Sequence, residues 1–249
     1  MTGVPRAGRN AAVPCPDGTA QEPLPRTAVA PSQLRASSPS GTTVLVIAKE
    51  PVPGRVKTRL TPPYSPSEAA RLAEAALHDT LCTVARTPAR RRVLVLDGRP
   101  GPWLPDGFEV VPQSKGGLDE RIASAFGQCD GPALLIGMDT PQITPGLLAQ
   151  STGPHAWDER DACFGPAADG GFWALGFRRP RPDLVRGVPM STSRTGEVQR
   201  RRLIEAGLTV RELPVLRDVD TADDAEQIAA HCAGSFAAVH AGLSRAVAP

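Results

Sequence analysis

The strongest constraint on this chain is an alternation. Short, unbroken apolar runs are separated by stretches of helical spacing with capped starts. Val44-Leu45-Val46-Ile47-Ala48 is the first run, and "RVLVLD" (92–97), "FEVVPQ" (108–113) and "ALLIGMD" (133–139) follow it. A continuous apolar run is what a strand buried on both faces requires. Ser65-Pro66-Ser67-Glu68 predicts a helix start, with Ser65 as cap, Pro66 at the first position and Glu68 completing a capping box. Ala69, Leu72, Ala73, Ala76, Leu77, Leu81 and Val84 then recur at helical spacing up to Pro88. "LDERIASAF" (118–126) places Leu118, Ile122 and Phe126 on one helical face, and Thr144-Pro145 starts another helix. "DACFGP" (161–166) and "GFWALGF" (171–177) predict two strands around a Gly-rich turn. Val198 to Ala206 is helical with Gly207 as its stop, "LTVRELP" (208–214) is a last strand, and Thr221 caps a helix to about Cys232. Strands alternating with helices predict an α/β three-layer sandwich with a mostly parallel mixed sheet.

Residues 1–41 have no hydrophobic period and are rich in Pro, Ala, Arg, Ser and Gly. Such a segment cannot bury enough apolar surface to offset its chain entropy, so a disordered extension is expected. It also lacks the continuous apolar core of a secretory signal. One nucleotide-binding domain is expected over 42–235, followed by an Ala-rich tail over 236–249 that frays. A formal net charge of +2 over 249 residues gives no charge excess that would mark nucleic acid as a partner. No apolar run reaches the roughly 18 residues of a membrane helix, so no membrane insertion is expected. Cys15, Cys82, Cys129, Cys163 and Cys232 form no CxxC, which points to a reducing cytoplasm rather than a disulfide framework. His78, His155, His231 and His240 lack metal-ligand spacing and are expected on the surface or in helix packing.

In an open α/β sheet, ligands bind beyond the carboxyl ends of the strands. Lys49 to Arg59 follow the first strand, with Arg55, Lys57 and Arg59 at alternate positions after Gly54. Gln113 to Gly117 follow the third, Asp139-Thr140-Pro141 the fourth, and Asp218-Val219-Asp220 the last. Asp169-Gly170-Gly171 lie between the two late strands. One edge thus collects cations, glycines and four carboxylates, a set that suits a metal-bridged phosphate. Each feature has a plainer reading. The three cations suit a solvated loop, Asp139 a turn, Asp169 a hairpin, and Asp218 and Asp220 the dipole of the helix that Thr221 caps. The Arg triplets at 90–92 and 200–202 are expected on solvated faces. There is no GxxxxGK and no GxGxxG, which disfavours a Walker or Rossmann nucleotide site. Neither Ser114 nor any cysteine has a histidine partner in the pattern, which excludes nucleophilic catalysis.

The order of "AKEPVPGRVKTRL", "QSKGGLDERIASAF", "LLIGMDTPQITPGLL", "FGPAADGGFWALGF", "STSRTGEV" and "LRDVDTADD" resembles the DUF2064 family over about residues 43–230. These are bacterial proteins assigned as glycosyltransferases of the GT-A fold, some named for arsenosugar biosynthesis. Two departures are visible: Met190 stands where the family usually has Trp, before Ser191-Thr192, and Thr140 where Cys is common.

The resemblance implies a GT-A, nucleotide-diphospho-sugar transferase type of sheet, a nucleotide-sugar donor, a small-molecule acceptor and Mg²⁺ or Mn²⁺. It implies a catalytic set of Lys57, Asp139 and Asp169, with Asp139 and Asp220 or Asp218 on the metal. Ala48, Lys49, Gly54, Arg55, Lys57, Arg59, Gln113, Gly116 and Arg121 fall on the nucleotide and phosphate side. Gly170, Gly171, Ser191 and Thr192 fall in an acceptor pocket. "GRVKTRL" and "DVDTADD" are also similar to pieces of guanylyltransferase-like nucleotidyltransferases, which use a nucleoside triphosphate and release pyrophosphate. A nucleotide-binding partner protein without activity is the third reading. Phe172, Trp173 and Trp157 are the aromatic candidates for a sugar-stacking platform.

Overall fold

The computed structural model describes residues 41–247. The expected extension, apart from Gly41, lies outside the described residues. Seven strands form one sheet: β1 (Thr43–Lys49), β2 (Arg91–Asp97), β3 (Glu109–Pro112), β4 (Ala133–Ile136), β5 (Ala162–Pro166), β6 (Phe172–Phe177) and β7 (Val210–Glu212). Six α-helices accompany them: α1 (Pro66–Ala85), α2 (Leu118–Gly127), α3 (Pro145–Thr152), α4 (Thr195–Glu205), α5 (Ala222–Ala229) and α6 (Ser235–Val247). The strand order is β3-β2-β1-β4-β6-β5-β7. β6 runs antiparallel to both its neighbours, and every other pairing is parallel. This is the expected α/β architecture of mostly parallel mixed type.

The apolar runs are continuous because both faces of the sheet are covered. Val44, Val46 and Ala48 pack with Leu77, Leu81 and Val84 of α1 on one face. Leu45 packs with Ile122 and Phe126 of α2 and Leu203 of α4 on the other. Period-two geometry sends successive side chains to opposite layers, so each layer needs every second residue apolar. Leu118 departs from the expected helical face: it is 42% exposed, at the first turn of α2 beside the Gly116–Gly117 loop.

Capping chemistry sets the helix starts. The Ser65 hydroxyl accepts from Glu68 N, and the Glu68 carboxylate accepts from Ser65 N at 2.8 Å. Thr144 caps α3 through Leu147 N, and Thr221 forms a capping box with Asp224. The C-terminal stretch expected to fray is a packed helix instead. Phe236 is fully buried and Leu243 is 4% exposed, in a cluster with Leu60, Leu72 and Ala76. The reason lies far away in sequence: the buried Asp79 carboxylate of α1 accepts from Ser235 N at 2.9 Å and from Phe236 N at 2.8 Å. No described helix is long and apolar enough to cross a membrane.

Candidate active site

β1 and β4 are neighbours, yet the chain leaves β1 toward β2 on one side and reaches β4 from the other. Such a reversal of strand order opens a crevice at the carboxyl edge. Lys57 comes from the loop after β1, and Asp139 from the loop after β4. The Lys57 Nζ donates to Asp139 Oδ2 at 2.5 Å and to Asp220 Oδ1 at 2.9 Å. Arg59 donates to the other Asp220 oxygen at 2.6 Å. The sequence stretch "GRVKTRL" thus folds Lys57 onto carboxylates 82 and 163 residues away and Arg59 onto one 161 residues away.

The loop is fastened on both sides of Lys57. Val56 is buried against Ala70 and Ala73 of α1. Leu60, fully buried, closes a 3-10 turn and packs beneath α1 and α5. Between these anchors Lys57 takes a left-handed backbone, φ 48° and ψ 41°, which costs a β-carbon-bearing residue about 1 kcal/mol or more. Two buried apolar anchors, each worth about 1.5–3 kcal/mol, outweigh that cost. On the opposite side, Val219 N donates to the Asp139 carbonyl and Gln142 Nε2 to the Arg217 carbonyl, which fix the Asp218–Asp220 loop against Asp139.

Electrostatics follow from this crowding. Burial works to lower the Lys57 pKa, but Asp139 and Asp220 together outweigh it and hold the ammonium above its ordinary value. Asp218 is the carboxylate left over. Burial first, then the Asp139 charge, push its pKa up to about 8, against the pull of Lys57. Its Oδ1 is buried without a hydrogen-bond partner among the described residues, as are Thr140 Oγ1, Gln142 Oε1 and Ser114 Oγ. The Asp169 and Asp220 charges also act on Asp218, so it lies within electrostatic reach of the other three expected carboxylates.

Several residues expected on the nucleotide side come together at the ends of β1, β2 and β3, where they hydrogen-bond one another. Gln113 Nε2 donates to the carbonyls of Ala48 (2.7 Å) and Val95 (3.2 Å), and Gln113 Oε1 accepts from Arg121 at 3.0 Å. Arg121 also donates to Asp97 at 3.2 Å and to the Gly116 carbonyl at 3.0 Å. Gln113 and Arg121 therefore brace three strand ends. Asp97 is absent from the residues expected at this edge, although it closes the apolar run of β2 as Asp139 follows that of β4. Lys49 and Arg55 stand exposed at the same edge, and Gly54 (φ 74°) makes the turn before Arg55.

The residues expected on the acceptor side also lie near one another. Asp169 is exposed and its Oδ1 accepts from Gly171 N at 2.8 Å, so the hairpin turn and the edge carboxylate are one feature. Gly170 has φ 88° and lies so close to the Ser193 carbonyl that a β-carbon would collide with it. Gly196 N donates to the Gly170 carbonyl at 2.8 Å. Ser191 is exposed with φ 58°, and the Thr192 hydroxyl meets that of Thr195 at 3.2 Å. The aromatic candidates do not form a platform. Trp173 and Trp157 are 1% and 8% exposed core residues, their indole N–H groups donating to the Pro214 carbonyl and the Thr42 hydroxyl. Phe172 is half-buried against Phe164.

No three His, Cys, Asp or Glu residues among the described ones form a ready metal-holding group. The expected set of Asp139, Asp218 and Asp220 is present, but Asp139 Oδ2 and Asp220 Oδ1 are both taken up by the Lys57 ammonium.

Residues 70–192 match the model of a family described as an uncharacterized protein conserved in bacteria, DUF2064. The matched stretch runs from within α1 to Thr192 and so includes Asp139 and Asp169, while Lys57 and Asp220 flank it. The fold resembles a protein from Desulfovibrio desulfuricans provisionally named a nucleotide-diphospho-sugar transferase, 26% identical, covering 82% of this chain and 94% of that one, with a TM-score of 0.71. Looser likenesses include the Mycobacterium tuberculosis protein Rv0371c in complex with manganese, 22% identical over 76% of this chain and 97% of that one, TM-score 0.46. A 4-diphosphocytidyl-2C-methyl-D-erythritol synthase from Anaerococcus prevotii is 12% identical over 82% and 97%, TM-score 0.48. These two are too distant to bear on the chemistry. No curated protein matches the sequence.

Proposed function

We propose that this chain transfers a sugar from a nucleotide-diphosphate donor to a small acceptor, with a divalent cation, Mg²⁺ or Mn²⁺, at the Asp139 and Asp218–Asp220 loops. One observation carries the reading: an ammonium and a guanidinium are paired with two carboxylates, Asp139 and Asp220, with Asp218 beside them, beyond the ends of β1 and β4. The name of the Desulfovibrio protein supports the donor class. We take 42–235 together with α6 as the unit that does this.

The residues fit a hard divalent ion in their donor chemistry. They are all carboxylate oxygens, and Asp218 Oδ1 is a buried acceptor with no partner. Mg²⁺ characteristically uses one or two carboxylates and completes its shell with phosphate oxygens and water, so the lack of a closed three-carboxylate cage agrees with it. Bound there, the ion supplies positive charge to the departing nucleoside diphosphate. Arg59, exposed at the edge, and Lys57, once freed from its carboxylates, offer N–H donors to the same phosphates. Arg55, exposed on the same loop, adds a third cation. Asp169 accepts the proton of the acceptor hydroxyl on a carboxylate oxygen, and Gly171, lacking a β-carbon, leaves that carboxylate uncrowded.

The test is product analysis with nucleotide-sugar and nucleoside-triphosphate panels. Free nucleoside diphosphate is the expected product. Asp139→Ala is expected to cost about a hundredfold in turnover while the melting profile keeps its single transition. Release of pyrophosphate from a triphosphate would replace this reading with nucleotidyl transfer. Unchanged turnover in Asp139→Ala would remove Asp139 from the site.

A further inference from the structure

Lys57 stands where a cation bridging Asp139 and Asp220 would have to stand. Its Nζ is within 2.9 Å of an oxygen of each, and only 10% of the side chain is exposed. Arg59 already holds the second oxygen of Asp220. A divalent ion between the two carboxylates needs the oxygens that face the ammonium, and two cations in one gap repel strongly. Val56 and Leu60, both buried, hold the backbone on either side, so the loop does not yield. The side chain can, because lysine is a compact charge on a flexible four-carbon stem.

We propose that Lys57 is an exchangeable occupant of the cation position, and that a divalent ion binds Asp139 and Asp220 only as the ammonium swings out of the gap. The displaced ammonium then faces the edge where the donor phosphates are placed above. This rests on the metal-dependent reading of the site, and Lys57 acts here as a positioning residue that sets how tightly the ion is held before donor arrives.

The experiment measures Mn²⁺ binding to the ligand-free protein, by loss of the free-ion EPR signal, in wild type, Lys57→Met and Arg59→Met. Lys57→Met is expected to bind Mn²⁺ at least about tenfold more tightly, within the usual range of coupling between two ligands. Arg59→Met removes the same charge from Asp220 without emptying the gap, and its gain is expected to be much smaller. A second readout needs no variant. The chain has three lysines, Lys49, Lys57 and Lys115, so acetylation mapped by mass spectrometry resolves each one. Mn²⁺ is expected to raise acetylation of Lys57 in the wild type, with exposed Lys115 as the reference. Mn²⁺ binding with Lys57 still protected overturns the inference and leaves the metal reading standing. So does a Lys57→Met affinity no tighter than wild type, or an equal gain in Arg59→Met. Failure of both wild type and a folded Lys57→Met to bind Mn²⁺ overturns the inference and the metal reading together.

Discussion

Asp79→Ala is expected to release the C-terminal helix. Asp79 lies in the middle of α1, 7% exposed, and its two oxygens receive the first two N–H groups of α6. It is an N-cap supplied from 156 residues away. A hydrogen bond to a charged group contributes about 1.5–3 kcal/mol, so two of them amount to roughly 3–6 kcal/mol before water regains part of it. Freeing α6 would also expose Phe236 and Leu243, roughly 3–6 kcal/mol of apolar burial at about 1.5–3 kcal/mol each. The two quantities are comparable, so removing the cap brings α6 close to local opening without unfolding the sheet. Hydrogen exchange on residues 235–243 is the direct assay. Protection there should fall by at least about tenfold, one decade per 1.4 kcal/mol, while α2 and β4 keep theirs. Global stability should drop by about 3 kcal/mol, or roughly 6–12 °C in Tm for a domain of this size. Unchanged protection in α6 with a loss below about 1 kcal/mol would refute the reasoning, since a long-range cap of that strength could not then exist. Gly234 offers a matched control: a β-carbon there would press on the Asp79 carboxylate, so Gly234→Ala should shift exchange in the same segment.

Other outcomes follow from the site. The Asp218 carboxyl has a folded pKa of about 8 against an ordinary 3.8, so the folded state keeps a proton that the unfolded chain gives up. Stability should therefore fall as pH rises from about 4 to about 8; Asp218→Asn should match wild type in urea melts at pH 4 and exceed it at pH 8.5. Gly170→Ala combines φ 88° with a collision at Ser193 and should cost about 2 kcal/mol or more. Gly54→Ala, with φ 74° and open space around it, should cost only about 1 kcal/mol in the same denaturation assay.

Much of the architecture was legible in the sequence. Val44 to Ala48 fitted a strand covered on both faces, because a one-sided strand alternates and this run is too short for a helix. The Ser65–Glu68 capping box and the Thr144 and Thr221 caps act within three residues of themselves, so local chemistry fixed them. The candidate site was legible as a list, since the carboxyl ends of strands can be named before their order is known.

What the sequence could not contain were the pairings. Whether Asp139 faces Lys57 depends on β1 and β4 being neighbours, a matter of strand order rather than of either segment. That Gln113 and Arg121, expected on the nucleotide side, also brace Ala48, Asp97 and Gly116 follows from three strand ends meeting there. The last helix looked like a fraying tail because its cap is Asp79. Its sequence alone is too short and too Ala-rich to reveal a partner on α1. Local propensity and period act over a few residues and are written in the chain, while carboxylate–ammonium contacts across 82 and 163 residues exist only once the sheet has closed.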